Sequence, residues 1–280
     1  MRPQRNTRLT RQQGRIITIN GITYQTPFKK ARKPLAIVFP RNISSLYAKK
    51  VLSYFQSAID NVITILSYFE KKYLDDDLKR DANKMLKDIL REIDSIDFSV
   101  TDANAIVEDI QTKIVNNNDM QYSRSMQSSI GVNIIPPDDY LKPLLARWSA
   151  ENSKLIKTIH GDMKAYTQKV IEQYTTEGLS AKELSEAVKK ISGLPEWKAE
   201  RIARTETNKL FTQMSRNKSD GLGIKRYSWH TAGDAAVRDQ HARNNGQTFS
   251  YETGDSEGNN PGDQINCRCT DIPRFDDLLR

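Results

Sequence analysis

The chain has 280 residues, of which 37% are hydrophobic and 28% charged, with a formal net charge of +8 and a mean hydropathy of −0.66. That length allows one or two domains, and that polarity allows only modest cores beneath much solvated helix surface. No apolar run approaches the ~20 residues needed to cross a bilayer. The N-terminus carries no apolar signal region, and two cysteines separated by one residue make no disulfide framework, which fits a reducing compartment.

The positive charge is concentrated at the start. No Asp or Glu precedes Asp60, while Arg2, Arg5, Arg8, Arg11, Arg15, Lys29, Lys30, Arg32 and Lys33 fall in the same stretch. Residues 1–42 therefore read as a basic arm. It is either a solvated tail or a segment that neutralises nucleic-acid phosphates; an acidic protein surface would attract it equally. A short strand pair is expected around Asn20-Gly21, a favoured hairpin turn, before Pro27, Pro34 and Pro40 break regular structure. The arm is expected to be cleaved by protease before residues 140–275 are.

Residues 43–135 read as helical. Beyond Leu46, the residues Val51, Phe55, Ile59, Val62, Leu66 and Phe69 recur at spacings of three and four, the period of one helix face. A second helix is predicted after Asp75-Asp76-Asp77, whose charges suit a helix N-terminus. A third is predicted from Thr101, a good N-cap, to the asparagine run Asn116–Asn118. Residues 120–137 read as a connector.

Residues 136–280 are predicted to hold a long helix from Asp138 to about Thr176, bent near Gly161. Ser180 and Glu183 form a capping box for a further helix. Pro195 reads as the first residue of another. Strands are expected over Ile224–Trp229, Gln247–Tyr251 and Cys267–Ile272, with a short helix between Ala235 and Arg243. The fold class is mainly α, with elongated N-terminal helices and a small α+β module near the C-terminus.

Chemistry-bearing residues crowd into that module. In the preceding helix, Glu206 shares a stripe with Ile202 and Leu210, while Arg204 faces elsewhere. A carboxylate on an apolar face must be paired or protonated, and Arg238, Arg268 and His241 are its expected partners. His230, His241, Cys267 and Cys269 are four soft ligands of the kind zinc takes. On a straight strand, however, α-carbons two residues apart are roughly 7 Å apart, long for two sulfurs on one ion unless the chain bends. A disulfide, plain packing, and a Cys–His nucleophile remain as other readings. Residues 179–206 also fit two helices joined by a turn, the form of a helix-turn-helix DNA reader.

The series Ile202-Ala203-Arg204-Thr205-Glu206, Trp229, Val237-Arg238 with His241, Asn245-Gly246, and Asn266-Cys267-Arg268-Cys269 before Pro273 resembles the phage Mu F-like head morphogenesis family. The likeness covers about residues 140–275. It implies a minor head protein of a tailed bacteriophage, non-catalytic, present in the virion and assembled in the host cytoplasm. Its expected partners are the portal protein, other head proteins and packaged double-stranded DNA, with no membrane and no required cofactor. Arg204, Glu206, Trp229, Arg238, His241, Asn266, Cys267 and Cys269 are its structural motif positions. Some family members carry fused toxin domains; only seven residues follow Pro273 here, so none is expected. The alternatives are a metal-dependent nuclease built on His230, His241 and Asp234, and a DNA-binding protein.

Overall fold

The computed structural model describes residues 14–72, 78–95, 100–134, 136, 141–177 and 179–279. Two compact units emerge, each assembled from separate stretches of chain. One comprises residues 40–114 and 142–210; the other comprises 1–39, 115–141 and 211–280. Both are discontinuous, whereas the division into 1–42, 43–135 and 136–280 follows chain order. Among the described residues, no helix is long and apolar enough to cross a membrane.

The first unit is helical. It contains α1 (Arg41–Lys72), α2 (Leu78–Asp94), the start of α3 (Val100–Ile130), α4 (Lys142–Glu177) and the start of α5 (Ala181–Gly221). On α1, Val51, Phe55, Ala58, Val62 and Leu66 are buried at helical spacing, so one apolar stripe faces inward. Leu86, Ile89 and Ile93 of α2 complete the pattern, and α2 packs on both α1 and α4. The acidic run before α2 lies outside the described residues. At the head of α5, the Ser180 N–H donates to Glu183 Oε2 at 2.9 Å and the Glu183 N–H to Ser180 Oγ at 3.3 Å. These are the reciprocal bonds of a capping box.

Two helix ends differ from expectation. Asn116–Asn118 does not stop α3, which continues to Ile130 through most of the expected connector. Asparagine weakly disfavours helix, but Asn118 is fully buried, and its side-chain bonds repay the helical backbone. Likewise α5 runs through Pro195 without a break. A single continuous helix cannot be a helix-turn-helix, so that reading of residues 179–206 is set aside.

The second unit holds the sheets. β1 (Ile16–Ile19) and β2 (Ile22–Gln25) pair antiparallel. Their turn has Asn20 at φ 51° and Gly21 at φ 78°, the backbone a two-residue hairpin requires. A three-stranded antiparallel sheet runs in the order β4-β3-β5, with β3 at Arg226–His230, β4 at Thr248–Ser250 and β5 at Thr270–Pro273. The short helix α6 (Asp239–Asn244) lies between β3 and β4, and a 3₁₀ turn (Phe275–Leu279) ends the described chain.

The described part of the arm is not a tail. Residues 14–39 belong to this unit, and the extended stretch 32–38 is laced along α3. The Arg32 N–H donates to Ser129 O at 2.8 Å, and Ser129 Oγ donates to Arg32 O at 2.9 Å. Ser125 Oγ donates to Leu35 O at 2.7 Å, and the Gln121 amide exchanges bonds with Val38 N–H and C=O at 2.7 and 3.0 Å. An extended segment has no ladder of its own, so helix side chains satisfy its backbone. Further on, the Thr270 hydroxyl donates to the carbonyl of buried Ile37 at 2.5 Å.

Candidate functional site

The site forms where β3, α6 and the loop entering β5 meet. Alternation along β3 buries Tyr227 and Trp229 and leaves Ser228 and His230 half-exposed on the other face, as a period of two demands. The Gly246 N–H donates to Trp229 O at 2.8 Å, and Asn245 Oδ1 accepts from the Thr231 N–H at 3.1 Å. The Asn245-Gly246 turn thus holds α6 against β3. Helix α6 in turn points His241 inward, where its ring lies 5.1 Å from the Trp229 ring and is 2% exposed.

The long loop between β4 and β5 is organised by Asp255. Its Oδ2 accepts from Gln240 Nε2 at 3.2 Å and from Asn244 Nδ2 at 3.1 Å, tying the loop to α6. Its Oδ1 accepts the Glu257 and Asn259 N–H groups, each at 3.0 Å. Arg238 Nη2 donates to Ile265 O at 2.9 Å just before the cysteines. Asn266 then adopts φ 61°, a left-handed conformation that asparagine tolerates better than most residues.

That turn decides where the sulfurs go. The last strand starts only at Thr270, so Cys267 and Cys269 precede it, outside the strand ladder. His241 Nδ1 lies 3.8 Å from Cys267 Sγ and 3.5 Å from Cys269 Sγ. The Cys269 N–H reaches Cys267 Sγ at 3.4 Å. Both thiols are buried and unbridged. The Cys269 thiol beside Cys267 pulls the latter down to about 4, and the same contact together with burial pushes Cys269 upward.

Two other buried groups shape this pocket. His241 Nε2 is buried without a hydrogen-bond partner among the described residues. The Trp229 indole N–H, near enough to Cys269 to favour its thiolate, completes no full hydrogen bond there.

The other expected site residues fall elsewhere. His230 is half-buried on the opposite face of β3, so it does not join the other three candidate ligands. Asp234 is held by Arg268, whose Nη2 lies 2.7 Å from its Oδ1. His230, His241 and Asp234 do not converge, and the nuclease constellation is not assembled. Glu206 is buried, as its stripe implies, but its partners are not Arg238, Arg268 or His241. Instead Asn152 Nδ2 donates to it at 3.3 Å and Lys209 Nζ lies 3.8 Å away, both within the helical unit. Burial raises the Glu206 carboxyl, against the pull of Lys209 and Asn152. Arg204 stands half-exposed, 4.0 Å from Glu200.

Sequence reasoning missed a buried polar chain beside the cluster. Tyr122 Oη and Ser219 Oγ are 3.1 Å apart, Ser219 Oγ and Tyr251 Oη 3.3 Å, and Tyr251 Oη donates to Asp271 Oδ2 at 2.5 Å. Burial pushes Asp271 up to about 6. These residues are scattered over 150 positions of sequence and share no spacing that would announce them.

Of the basic arm, Arg2, Arg5, Arg8 and Arg11 lie outside the described residues. Arg15, Lys29, Lys30, Arg32 and Lys33 line one open cleft of about 920 Å³, together with Arg274. Arg274 is partly neutralised by Asp276 at 2.8 Å. Among the described residues, Lys29, Lys30 and Lys33 have no carboxylate partner and are exposed.

Residues 165–272 match the family model described as Phage Mu protein F like protein. In that region the chain is similar to the family. That region takes in Glu206, Trp229, Arg238, His241 and both cysteines. Along most of its length the chain is similar to a protein of Haemophilus influenzae, described only as an uncharacterized protein, 24% identical over 254 residues. The alignment covers 88% of this chain and 56% of that relative, so the chain spans little more than half of its length. No solved structure matches the chain.

Proposed function

We propose that this protein is a minor head protein of a tailed bacteriophage, which acts in head assembly near the portal and contacts packaged DNA. The match of residues 165–272 to a phage family carries this reading. The cationic cleft gives the DNA contact a physical basis. Lys29, Lys30 and Lys33 present exposed ammonium groups beside Arg15, Arg32 and Arg274, and such a surface binds phosphates by releasing their counterions. An open cleft of this kind favours a backbone over a base edge, so the expected binding is insensitive to sequence.

Two measurements test the reading. In purified virions, quantitative mass spectrometry should find the protein at a few copies per portal, and heads made without it should be defective. The head role is refuted if virions lack the protein and heads assemble normally without it. For the cleft, replacing Lys29, Lys30 and Lys33 together by Gln should weaken binding to any duplex. It should also flatten the dependence of log affinity on log salt by about 3. An unchanged slope would remove the DNA contact while leaving the head role standing.

A further inference from the structure

We propose that His241, Cys267 and Cys269 hold a zinc ion that staples α6 to the entry of β5. Three donors of the types zinc prefers, one imidazole nitrogen and two sulfurs, lie within 4.8 Å of one another, and all three residues are buried. Zinc–sulfur and zinc–nitrogen bonds of about 2.3 and 2.0 Å at tetrahedral angles put neighbouring sulfur and nitrogen about 3.6 Å apart. The observed separations from His241 Nδ1, 3.5 and 3.8 Å, bracket that edge. A hydrogen bond alone accounts for this arrangement less well. One imidazole N–H can satisfy one sulfur, yet both sulfurs flank the same nitrogen.

The surroundings point the same way. The Cys269 N–H is directed at Cys267 Sγ at 3.4 Å, a donor that stabilises sulfur in the anionic form that binds metal. No carboxylate joins the cluster among the described residues, which sets the site apart from the oxygen cages of calcium and magnesium. Asp255, which organises the loop, is committed to α6 and to its own loop, and Asp234 to Arg268. Within the ring itself, Nε2 has no partner among the described residues; what orients His241 by polar contact is on the Nδ1 side.

The staple also has structural work to do. Between Ser250 at the end of β4 and Thr270 at the start of β5, the chain carries no helix and no strand ladder beyond one isolated bridge. A loop of that length is costly to order and needs anchoring. The apolar cluster beneath it is only Tyr227, Trp229, Cys267 and Cys269, with Phe249 and Tyr251 against it. Small modules of this kind gain much of their stability from a bound metal. Three protein donors leave the fourth tetrahedral position to water or an added thiol. This site does not depend on the phage-head reading.

The test uses the full chain, expressed in ordinary medium and purified without added metal. Elemental analysis should give about one zinc per chain. Replacement by cobalt should produce a thiolate-to-cobalt charge-transfer band in the near ultraviolet. A strong chelator should free both thiols to a thiol reagent and lower the melting temperature by several degrees. Cys267→Ser and His241→Ala should lose the metal, and His230→Ala should keep it. Folded wild-type protein that is metal-free, with both thiols titratable or oxidised to a disulfide, would overturn the proposal. So would loss of zinc in His230→Ala alone. If Cys267→Ser and His241→Ala fail to fold, the wild-type zinc content and cobalt spectrum still decide.

Discussion

Asn118 is the place where α3 should by sequence have ended, and its side chain explains why the helix goes on. It is fully buried, donates through Nδ2 to Phe211 O at 2.8 Å and to Ser215 Oγ at 2.9 Å, and accepts through Oδ1 from Lys218 Nζ at 2.7 Å. Lys218 itself is only 3% exposed, so its charge relies on the oxygens around it, Asp119 included. Asn118→Ala removes two neutral hydrogen bonds and one charge-assisted bond. At about 1 kcal/mol for each neutral bond and about 2 for the charged one, the loss is about 4 kcal/mol. Against a total stability of roughly 5–15 kcal/mol, that is a large share, and it should lower the melting temperature by roughly 10 °C. Asn116→Ala is the control. Asn116 is exposed, and alanine is the better helix former by a few tenths of a kcal/mol, so that variant should be as stable or slightly more so. Urea denaturation followed by circular dichroism measures both. An Asn118→Ala loss below about 1 kcal/mol, or equal effects in the two variants, would refute the reasoning.

Two further outcomes are expected. Gly131 ends α3 at φ 79°, and a β-carbon there would sit 2.2 Å from Pro27 Cγ. Gly131→Ala should cost about 2 kcal/mol, from the left-handed penalty and the displaced proline, and a neutral result in urea would show that the arm does not pack there. Glu206 has a carboxyl raised by burial, so its folded form takes up a proton more readily than its unfolded form. The stability this gives is fully present below the ordinary glutamate range and is lost as pH rises through the raised value. Glu206→Gln should therefore lose that falling slope, and parallel pH–stability profiles for the two proteins would contradict it.

What the sequence made legible were features written in adjacent residues. Asn20-Gly21 carries its own turn chemistry, and Ser180 with Glu183 carries its own cap; both form as read. The Glu206 stripe gave its burial but not its partners, because helical period reports a face and says nothing of which chain meets it. The asparagine run misled because local propensity is worth only tenths of a kcal/mol, and the buried bonds of Asn118 override it. At the candidate site, the residue types and order were visible, but convergence was not. Residue type alone had grouped His230 with the other ligands, whereas β3 places it on the face away from Trp229; Cys267 and Cys269 follow the left-handed turn at Asn266 and meet His241. The arm read as a solvated tail or a phosphate-contacting segment because charge was its loudest signal. Its packing depends on Ser125, Ser129 and Gln121, ordinary polar residues some ninety positions away.

That distance has a consequence for synthesis. The strap along α3 closes bonds between residues 83 to 97 apart in sequence. At about 5–20 residues per second, a ribosome leaves the nascent arm without its docking helix for roughly 5–20 s. Thr270 cannot latch Ile37 until the chain has grown 233 residues past it. Until then Lys29, Lys30 and Lys33 belong to a segment with no helix to lie against, so docking of the arm is ordered by the growth of the chain rather than by its own sequence.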